Sequence, residues 1–265
     1  MKLSLLNTQY DGFDAYVSVW GDGAYIYAAC NGDGIRAYSF NGTNFTLLDT
    51  QFDGVAPYRS VWGDGTYIYV ACDTEGIRAY SFNGVNFTLL DTQFDGVNSY
   101  VGVWGDGNYI YTACNAEGIR AYSFNGVNFT LLDTQFDGII SYVSVWGDGT
   151  YIYTACGTEG IRAYTFNGVN FTLLDTQYDG AGDDYFNVWG DGIYIYAACG
   201  AEGIRAYSFN GVNFTLLVTQ YDGTGPYASV WGDGTYTYAV SWLDGILAYK
   251  LFDENGMTLT GNMTW

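Results

Sequence analysis

Carboxylates recur at three fixed positions of this sequence, and they are the residues best suited to chemistry. The first set lies in WGDG segments: Asp22, Asp64, Asp106, Asp148, Asp191 and Asp233. The second set precedes Gly-Ile: Asp33, Glu75, Glu117, Glu159, Glu202 and Asp244. The third set lies in QFDG or QYDG segments: Asp11, Asp53, Asp95, Asp137, Asp179 and Asp222. Oxygen ligands of this kind suit Ca²⁺, and paired carboxylates suit glycoside hydrolysis.

The local sequence around these acids favours a role in turns over either activity. Aspartate is common in turns because its side chain accepts hydrogen bonds from the backbone nearby, and no EF-hand-like loop occurs. We therefore predict no metal and no cofactor, with Ca²⁺ as the less favoured alternative. An arginine follows five second-set acids by three residues, which predicts structural ion pairs: Arg36, Arg78, Arg120, Arg162 and Arg205. Leu247 takes the sixth position.

The other residue types that usually carry catalysis are absent or unsuitably placed. The sequence contains no histidine, which removes the commonest general base and metal ligand. Five cysteines occupy one repeated position, with Ser241 in sixth place: Cys30, Cys72, Cys114, Cys156 and Cys199. Equivalent points of neighbouring repeats lie too far apart for a disulfide, so we predict buried free thiols. Free thiols and a short apolar stretch at the N-terminus predict a cytoplasmic or otherwise reducing compartment.

The elements that position these residues follow from a repeat. VWGDG occurs six times, at intervals of 42 or 43 residues, as in repeat architectures. Each unit contains four short β-type segments, strands A to D, as at residues 16–20, 67–72, 77–82 and 86–92. Asp-Gly, Glu-Gly and Asn-Gly turns join them. Six antiparallel meanders with no helix between them predict an all-β fold, a six-bladed β-propeller.

The repeat boundaries predict one domain, residues 1–265, with units beginning near residues 16, 58, 100, 142, 185 and 227. The N-terminal segment matches a strand D, so we predict that residues 2–8 form the outer strand of the last blade and close the ring. Residues 257–263 compete for the same place, and the sequence leaves both alternatives open. A tryptophan ends every strand A, and we predict that all six pack between blades: Trp20, Trp62, Trp104, Trp146, Trp189 and Trp231.

The pattern resembles LVIVD-type repeats, a propeller repeat with four-stranded, WD40-like blades. The matching elements are GDGTYIYVA (63–71), EGIRAY (75–80) and a strand D that begins near Phe87. The resemblance implies a propeller architecture and a microbial surface or secreted location, and it implies no catalytic residues. The sequence departs from the family where Asn-Gly replaces a Pro-containing turn after strand C.

Differences between the copies concentrate in the B–C turns and the D–A loops, which a meander places at one end of each blade. We call this end the top. Blade six differs most, because Trp242 and Leu243 occupy its B–C turn. Trp242 is either an exposed anchor for a partner or a cover over the junction of the chain ends. We predict a binding surface of Trp242, Leu243, the second-set acids and the loop tyrosines Tyr16, Tyr58, Tyr100, Tyr142, Tyr185 and Tyr227.

Charge narrows the choice of partner. The formal net charge is −20, which repels nucleic acid and anionic membranes, so we predict a protein or carbohydrate partner. Near-identical blades repeat one group instead of assembling the dissimilar groups that an active site needs. The sequence therefore predicts a non-enzymatic interaction or scaffold propeller. A multivalent lectin is the first alternative, and a carboxylate-based glycoside hydrolase is the second.

Overall fold

The fold is an all-β six-bladed propeller, as predicted. The computed structural model describes residues 6–12, 14–54, 57–96, 99–138, 141–180, 184–222, 225–232 and 236–250. Within these ranges the regular structure is β-strand, in six antiparallel sheets of three or four strands. Each sheet is one blade, and its strands follow one another in chain order.

The chain forms two compact units, Met1–Cys114 with Ala121–Leu131 and Asn115–Arg120 with Leu132–Trp265. Blades one and two belong to the first unit, with strands β1 (Ser18–Gly21), β2 (Ile26–Cys30), β3 (Gly34–Phe40), β4 (Phe45–Gln51), β5 (Ser60–Gly63), β6 (Ile68–Ala71), β7 (Ile77–Phe82) and β8 (Phe87–Gln93). Blade three consists of β9 (Gly102–Gly105), β10 (Ile110–Ala113), β11 (Ile119–Phe124) and β12 (Phe129–Gln135).

Blades four to six belong to the second unit. Their strands are β13 (Ser144–Gly147), β14 (Ile152–Ala155), β15 (Ile161–Phe166), β16 (Phe171–Gln177), β17 (Tyr185–Gly190), β18 (Ile195–Cys199), β19 (Ile204–Phe209), β20 (Phe214–Gln220), β21 (Tyr227–Gly232), β22 (Thr237–Ser241) and β23 (Gly245–Tyr249). Blade six thus has three described strands where the other blades have four.

The A–B turns confirm the prediction that first-set acids serve turn geometry. Asp64 Oδ1 accepts the backbone N–H groups of Thr66 and Tyr67 at 2.8 Å each, and its Oδ2 accepts the Tyr69 hydroxyl at 2.8 Å. Gly65 follows with a φ of +88°, a conformation open to glycine without strain. Asp233 lies outside the described residues. The carboxylate therefore fixes the hairpin and the first strand it leads into.

Neighbouring blades pack through the tryptophan of one and the WGDG glycine of the next. The Trp62 ring stacks on Tyr69 of its own blade at a centroid distance of 5.8 Å. Its other side covers Gly105, where an added Cβ would lie 2.6 Å from the indole. Trp20 covers Gly63 in the same way. A tryptophan in one blade thus requires a glycine in the next.

An aspartate in strand D provides a second link between blades. Asp49 Oδ2 accepts the backbone N–H of Phe87 in the next blade at 2.7 Å. The same bond joins Asp91 to Phe129, and two further examples occur in the second unit: Asp133 with Phe171 and Asp175 with Phe214. At the corresponding position of blade five stands Val218. We call this bond the strand D staple.

One prediction from the sequence is wrong and another is untested. The prediction that all six tryptophans are packed is wrong for Trp231, whose side chain is 57 % exposed. The closing strand is untested, because residues 2–5 and 257–263 lie outside the described residues. Residues 6–8 belong to none of the described sheets.

Candidate binding site at the top of the blades

The B–C turns and D–A loops meet at one end of the blades, as the meander predicted. Asp73, in a B–C turn, and Tyr100, which begins the next blade, exchange two backbone hydrogen bonds of 3.0 Å. Asp73 adopts a φ of +44° to do so. Equivalent bridges join Asn31 to Tyr58, Asn115 to Tyr142, Gly157 to Tyr185 and Gly200 to Tyr227. The loop tyrosines are therefore anchored to the preceding blade through their backbone.

A buried arginine organises the top cluster in each of blades one to five, and blade two shows the arrangement fully. Arg78 Nη2 lies 2.5 Å from Glu75 Oε2 and donates to the Asp53 carbonyl at 3.0 Å. Its Nη1 donates to the Tyr58 hydroxyl at 3.0 Å, and its guanidinium lies over the Tyr58 ring. The Arg78 guanidinium thus links Glu75, a second-set acid, to the backbone of Asp53, a third-set acid.

The predicted acid–arginine pairs are confirmed in the first three blades. The distance between charged atoms is 3.0 Å for Asp33–Arg36 and 2.5 Å for Glu117–Arg120. In blade four the arginine turns elsewhere: Arg162 lies 3.8 Å from Asp137. Arg205 of blade five donates to the Tyr185 hydroxyl at 2.6 Å. The second-set carboxylates of these two blades, Glu159 and Glu202, are exposed to solvent.

The loop tyrosines lie beneath this surface and not on it. Tyr58, Tyr100, Tyr142, Tyr185 and Tyr227 are 0 % exposed, and Tyr16 is half-buried. The Tyr58 hydroxyl accepts the Asp53 N–H at 2.9 Å and bonds to the Tyr80 hydroxyl at 3.2 Å. Burial raises the pKa of Tyr58 above its ordinary value. The five buried rings therefore cannot stack against a ligand, contrary to the surface we expected from the sequence.

A different ring of aromatic side chains is accessible. The residue immediately before each third-set acid is Phe or Tyr, and its side chain is between 45 and 63 % exposed: Tyr10, Phe52, Phe94, Phe136, Tyr178 and Tyr221. We call these six the rim aromatics. The Phe52 ring rests against Tyr58 at a centroid distance of 6.0 Å. Beside it, Gln51 donates to Asp53 Oδ1 at 2.6 Å.

The sequence contained a signal for the rim aromatics. An aromatic residue occupies the same place in six turn-like QFDG or QYDG segments, where polar residues usually suffice. Each blade therefore presents an apolar ring beside a carboxylate held by a neighbouring amide. This pair is a repeated surface feature.

Blade six adds a larger apolar feature. Trp242 and Leu243 are 64 % and 73 % exposed. The Trp242 ring lies 5.6 Å from the Phe186 ring of blade five, and the backbone N–H of Trp242 donates to the Pro226 carbonyl at 3.0 Å. Asp244 Oδ2 accepts the Ser241 hydroxyl at 2.7 Å. With leucine at the arginine position, this cluster lacks the guanidinium of the other blades.

Metal ligands and thiols are the remaining candidate reactive groups of the described residues. No cluster of three or more potential metal ligands occurs among them. All five cysteines are buried thiols, as predicted. Burial raises the pKa of Cys72 to about 12, which keeps it a neutral thiol. Within the described ranges, no helix is long and apolar enough to cross a membrane.

Comparisons with known proteins show the fold alone. No family model matches the chain and no curated protein matches it, so LVIVD membership stays an expectation of the sequence. The computationally designed Ika8 protein superposes with a TM-score of 0.72 at 6 % identity, covering 89 % of this chain and 71 % of that one.

A second solved structure is similar in fold. It is a protein from Bacteroides fragilis that bears the provisional name 6-phosphogluconolactonase, with a TM-score of 0.73 at 18 % identity, covering 87 % of this chain and 77 % of that one. The fold class is therefore a β-propeller that is compatible with either binding or catalysis. The site described above is a repeated rim aromatic–carboxylate pair with one tryptophan-rich corner.

Proposed function

We propose that this protein is a non-enzymatic, multivalent binding module whose top surface recognises a protein partner. One observation carries the proposal: the rim aromatics are exposed in all six copies, each directly before an acid. Packing uses only part of each ring: Phe52 contacts Tyr58 at a centroid distance of 6.0 Å, and yet 47 % of its surface stays exposed. Large exposed apolar groups within a polar surface are typical of interaction sites.

Charge defines the partner that this surface suits. The chain carries a net charge of −20, and each rim aromatic precedes a carboxylate. A partner segment with Lys or Arg next to an apolar side chain would pair with the carboxylate and pack on the aromatic ring. Its positive charge would also suit the negative protein, since complementary charge speeds encounter and selects partners. Equivalent sites on one scaffold also gain avidity when the partner repeats its motif.

Blade six supplies the strongest single contact point for such a partner. Trp242 and Leu243 combine a large exposed apolar area with the adjacent carboxylate of Asp244, and leucine stands at the arginine position of this blade. Tryptophan is enriched among the residues that dominate binding energy at protein interfaces. We expect this corner to bind most tightly and the rim pairs to add avidity.

A carbohydrate partner is the second candidate, and the same rim supports it. An exposed phenyl or phenol face beside carboxylate oxygens can stack on a sugar ring and accept its hydroxyl hydrogens. Against an enzyme stands the near-identity of the blades, which repeats one group where catalysis needs groups in different roles. The lactonase-named neighbour shares the fold, and a fold does not fix function.

The test compares two matched triple variants on two arrays. The first variant removes rim rings (Phe52→Ala, Phe94→Ala and Phe136→Ala). The control removes exposed valines from the C–D turns of the same blades or the next: Val85→Ala, Val127→Ala and Val169→Ala. Arrays of basic–aromatic peptides and of glycans, the latter with calcium and with a chelator, identify the partner class.

We expect the wild type and the valine control to bind peptides alike, and the rim variant to bind roughly tenfold or more weakly through lost avidity. Binding confined to glycans would replace the protein partner by the second candidate. If the rim variant binds like the control, or if neither array retains the protein, the proposal is wrong.

A further inference from the structure

The third-set carboxylates already accept hydrogen bonds from their own surroundings. Asp53 Oδ1 accepts the side-chain amide of Gln51 at 2.6 Å, and its Oδ2 accepts the Tyr80 hydroxyl at 3.0 Å. The equivalent two bonds reach both oxygens at three further positions: Asp95, Asp137 and Asp179. An ammonium group of a partner would therefore have to share or displace a bond that holds the turn.

The backbone of the same acid is held as well. The Asp53 N–H donates to the Tyr58 hydroxyl at 2.9 Å, and the Asp53 carbonyl accepts Arg78 Nη2 at 3.0 Å. Both Tyr58 and Arg78 are buried. The carboxylate cannot turn outward without breaking a network that is anchored in the core. It therefore gives the surface negative charge but is a poor direct contact for a lysine side chain.

The rim aromatic before this acid is half packed and half open. Phe52 rests on Tyr58 at a centroid distance of 6.0 Å, and Phe94 rests on Tyr100 at 6.4 Å. Because both tyrosines are buried, each phenylalanine ring has a rigid support. An aromatic ring carries negative charge density on its faces. The rim thus offers aromatic surface that is already oriented and that attracts a cation.

The protein itself pairs guanidinium groups with aromatic rings at the top of its blades. The Arg78 guanidinium carbon lies 5.4 Å from the centroid of the Tyr58 ring. The same contact joins Arg162 to Tyr142 at 5.8 Å and Arg205 to Tyr185 at 5.4 Å. A guanidinium suits such a ring because it is planar and weakly hydrated, whereas an ammonium is compact and strongly hydrated.

We propose that the rim aromatics select arginine over lysine in the protein partner, with the guanidinium stacked on the open part of the ring. The net charge of −20 attracts the cation, and the ring supplies the contact through a cation–π interaction. This inference rests on the proposed function and deepens it, because it names the side chain that the top surface recognises.

The experiment measures the choice between side chains. The probe is a synthetic peptide that repeats Leu-Arg-Gly-Ser, with counterparts in which lysine or citrulline replaces arginine. Citrulline keeps the planar end of arginine and lacks its charge. Biolayer interferometry at one salt concentration measures the affinity of the whole protein for each immobilised peptide. The ratio of the arginine to the lysine affinity is the readout, since a general loss of avidity lowers both affinities together.

We expect the wild type to bind the arginine peptide about threefold or more tightly than the lysine peptide, and the citrulline peptide more weakly than the arginine peptide. The triple variant Phe52→Leu, Phe94→Leu and Phe136→Leu keeps apolar side chains without rings, so its preference for arginine should disappear. Tyrosine at the same three positions should keep the preference, because Tyr178 and Tyr221 already occupy equivalent places.

A second variant tests the occupied carboxylates. Gln51→Leu, Gln93→Leu and Gln135→Leu together remove the amide that donates to Oδ1 of each acid. An ammonium can then pair with that oxygen, and we expect the lysine peptide to gain about twofold relative to the arginine peptide. Circular dichroism checks that all variants are folded, and the triple Val→Ala variant described above is the control with an unchanged ratio.

The outcomes separate this inference from the function on which it rests. If the wild type binds neither basic peptide, the proposed function fails and the arginine preference fails with it. If the arginine and lysine peptides bind equally and both weaken in the leucine variant, the binding surface stands and the preference is wrong. A citrulline peptide that binds as tightly as the arginine peptide would also overturn the inference, because the contact would then need no charge.

Discussion

Blades two and six have the same repeat but differ in which of its residues they keep. Contacts within a blade are retained: Tyr227 and Tyr249 bond through their hydroxyls at 2.9 Å in blade six, as Tyr58 and Tyr80 do at 3.2 Å. Positions that serve a neighbouring blade have changed. Arg78 corresponds to Leu247, and the strand D staple entering blade six is replaced by Val218. The repeat therefore keeps the residues that hold each blade together, whereas the residues that contact a neighbouring blade vary independently.

The largest expected effect comes from alkaline pH. Burial raises the pKa of Tyr80, Tyr122, Tyr164 and Tyr207 above the ordinary value. The neutral hydroxyls stabilise the fold below pH ~10, and as the pH rises further the unfolded chain releases protons first. Each such tyrosine then costs up to about 1.4 kcal/mol per pH unit. Urea midpoints should therefore fall steeply above pH ~10, the ordinary pKa of tyrosine.

The two blades should differ in that slope. Tyr249 of blade six is only partly buried, so Tyr249→Phe should flatten the pH dependence less than Tyr80→Phe. Equal slopes for the two variants would contradict the difference in burial between Tyr80 and Tyr249.

Placing the blade-six residue in blade two is the next test. Arg78→Leu leaves Glu75, the Asp53 carbonyl and the Tyr58 hydroxyl without their shared donor, and we expect a loss of about 3 kcal/mol in the free energy of unfolding. The reverse change, Leu247→Arg, should lie within about 0.5 kcal/mol of wild type. Chemical denaturation measures both. A small effect of Arg78→Leu would show that the guanidinium is dispensable to the cluster.

A valine at the WGDG glycine tests the packing between blades. Gly105→Val forces a side chain into the Trp62 indole, and we expect a loss of about 2 kcal/mol. Gly21→Val is the matched change in blade one, where the nearest atoms to an added Cβ belong to Tyr25 and Ile26 and not to a tryptophan. It should cost less than about 1 kcal/mol. Thermal melts compare the two variants directly. Similar losses would mean that Gly21 is also covered.

The strand D staple should give the smallest effect. Asp91→Val removes the acceptor of the Phe129 N–H, and we expect a loss of about 1.5 kcal/mol. Val218→Asp in blade five, where no described strand D follows, should be close to neutral. If both changes destabilise equally, the staple is not what separates the two kinds of junction.

Much of the fold could be predicted because its causes are local. The period, the Asp64-Gly65 type of turn and the acid–arginine spacing all act within a few residues, so each could be deduced from one unit. The rim aromatics were missed for a physical reason. Phe52 and Tyr58 flank one loop, and periodicity cannot tell which ring is buried when the partner of Tyr58 is an arginine twenty residues away.

The exposure of Trp231 could not be predicted from the sequence, for a different reason. Six near-identical copies suggest six equivalent environments, and so Trp231 was expected to be packed like Trp62. The surroundings of a side chain depend on the neighbouring blade as well as on its own repeat. Trp62 covers Gly105 of the next blade, whereas Trp231 is exposed, and the repeated sequence is the same at both places.

The staple has a consequence for how the protein opens. Each strand D that receives a staple has its first N–H held by the blade before it, so neighbouring blades gain protection from one another, as in other repeat proteins. Blade six lacks this bond at Val218. Amide hydrogens of β22 and β23 should therefore exchange with solvent earliest, and those of β7 and β11 last, giving a gradient of local unfolding along one repeated sequence.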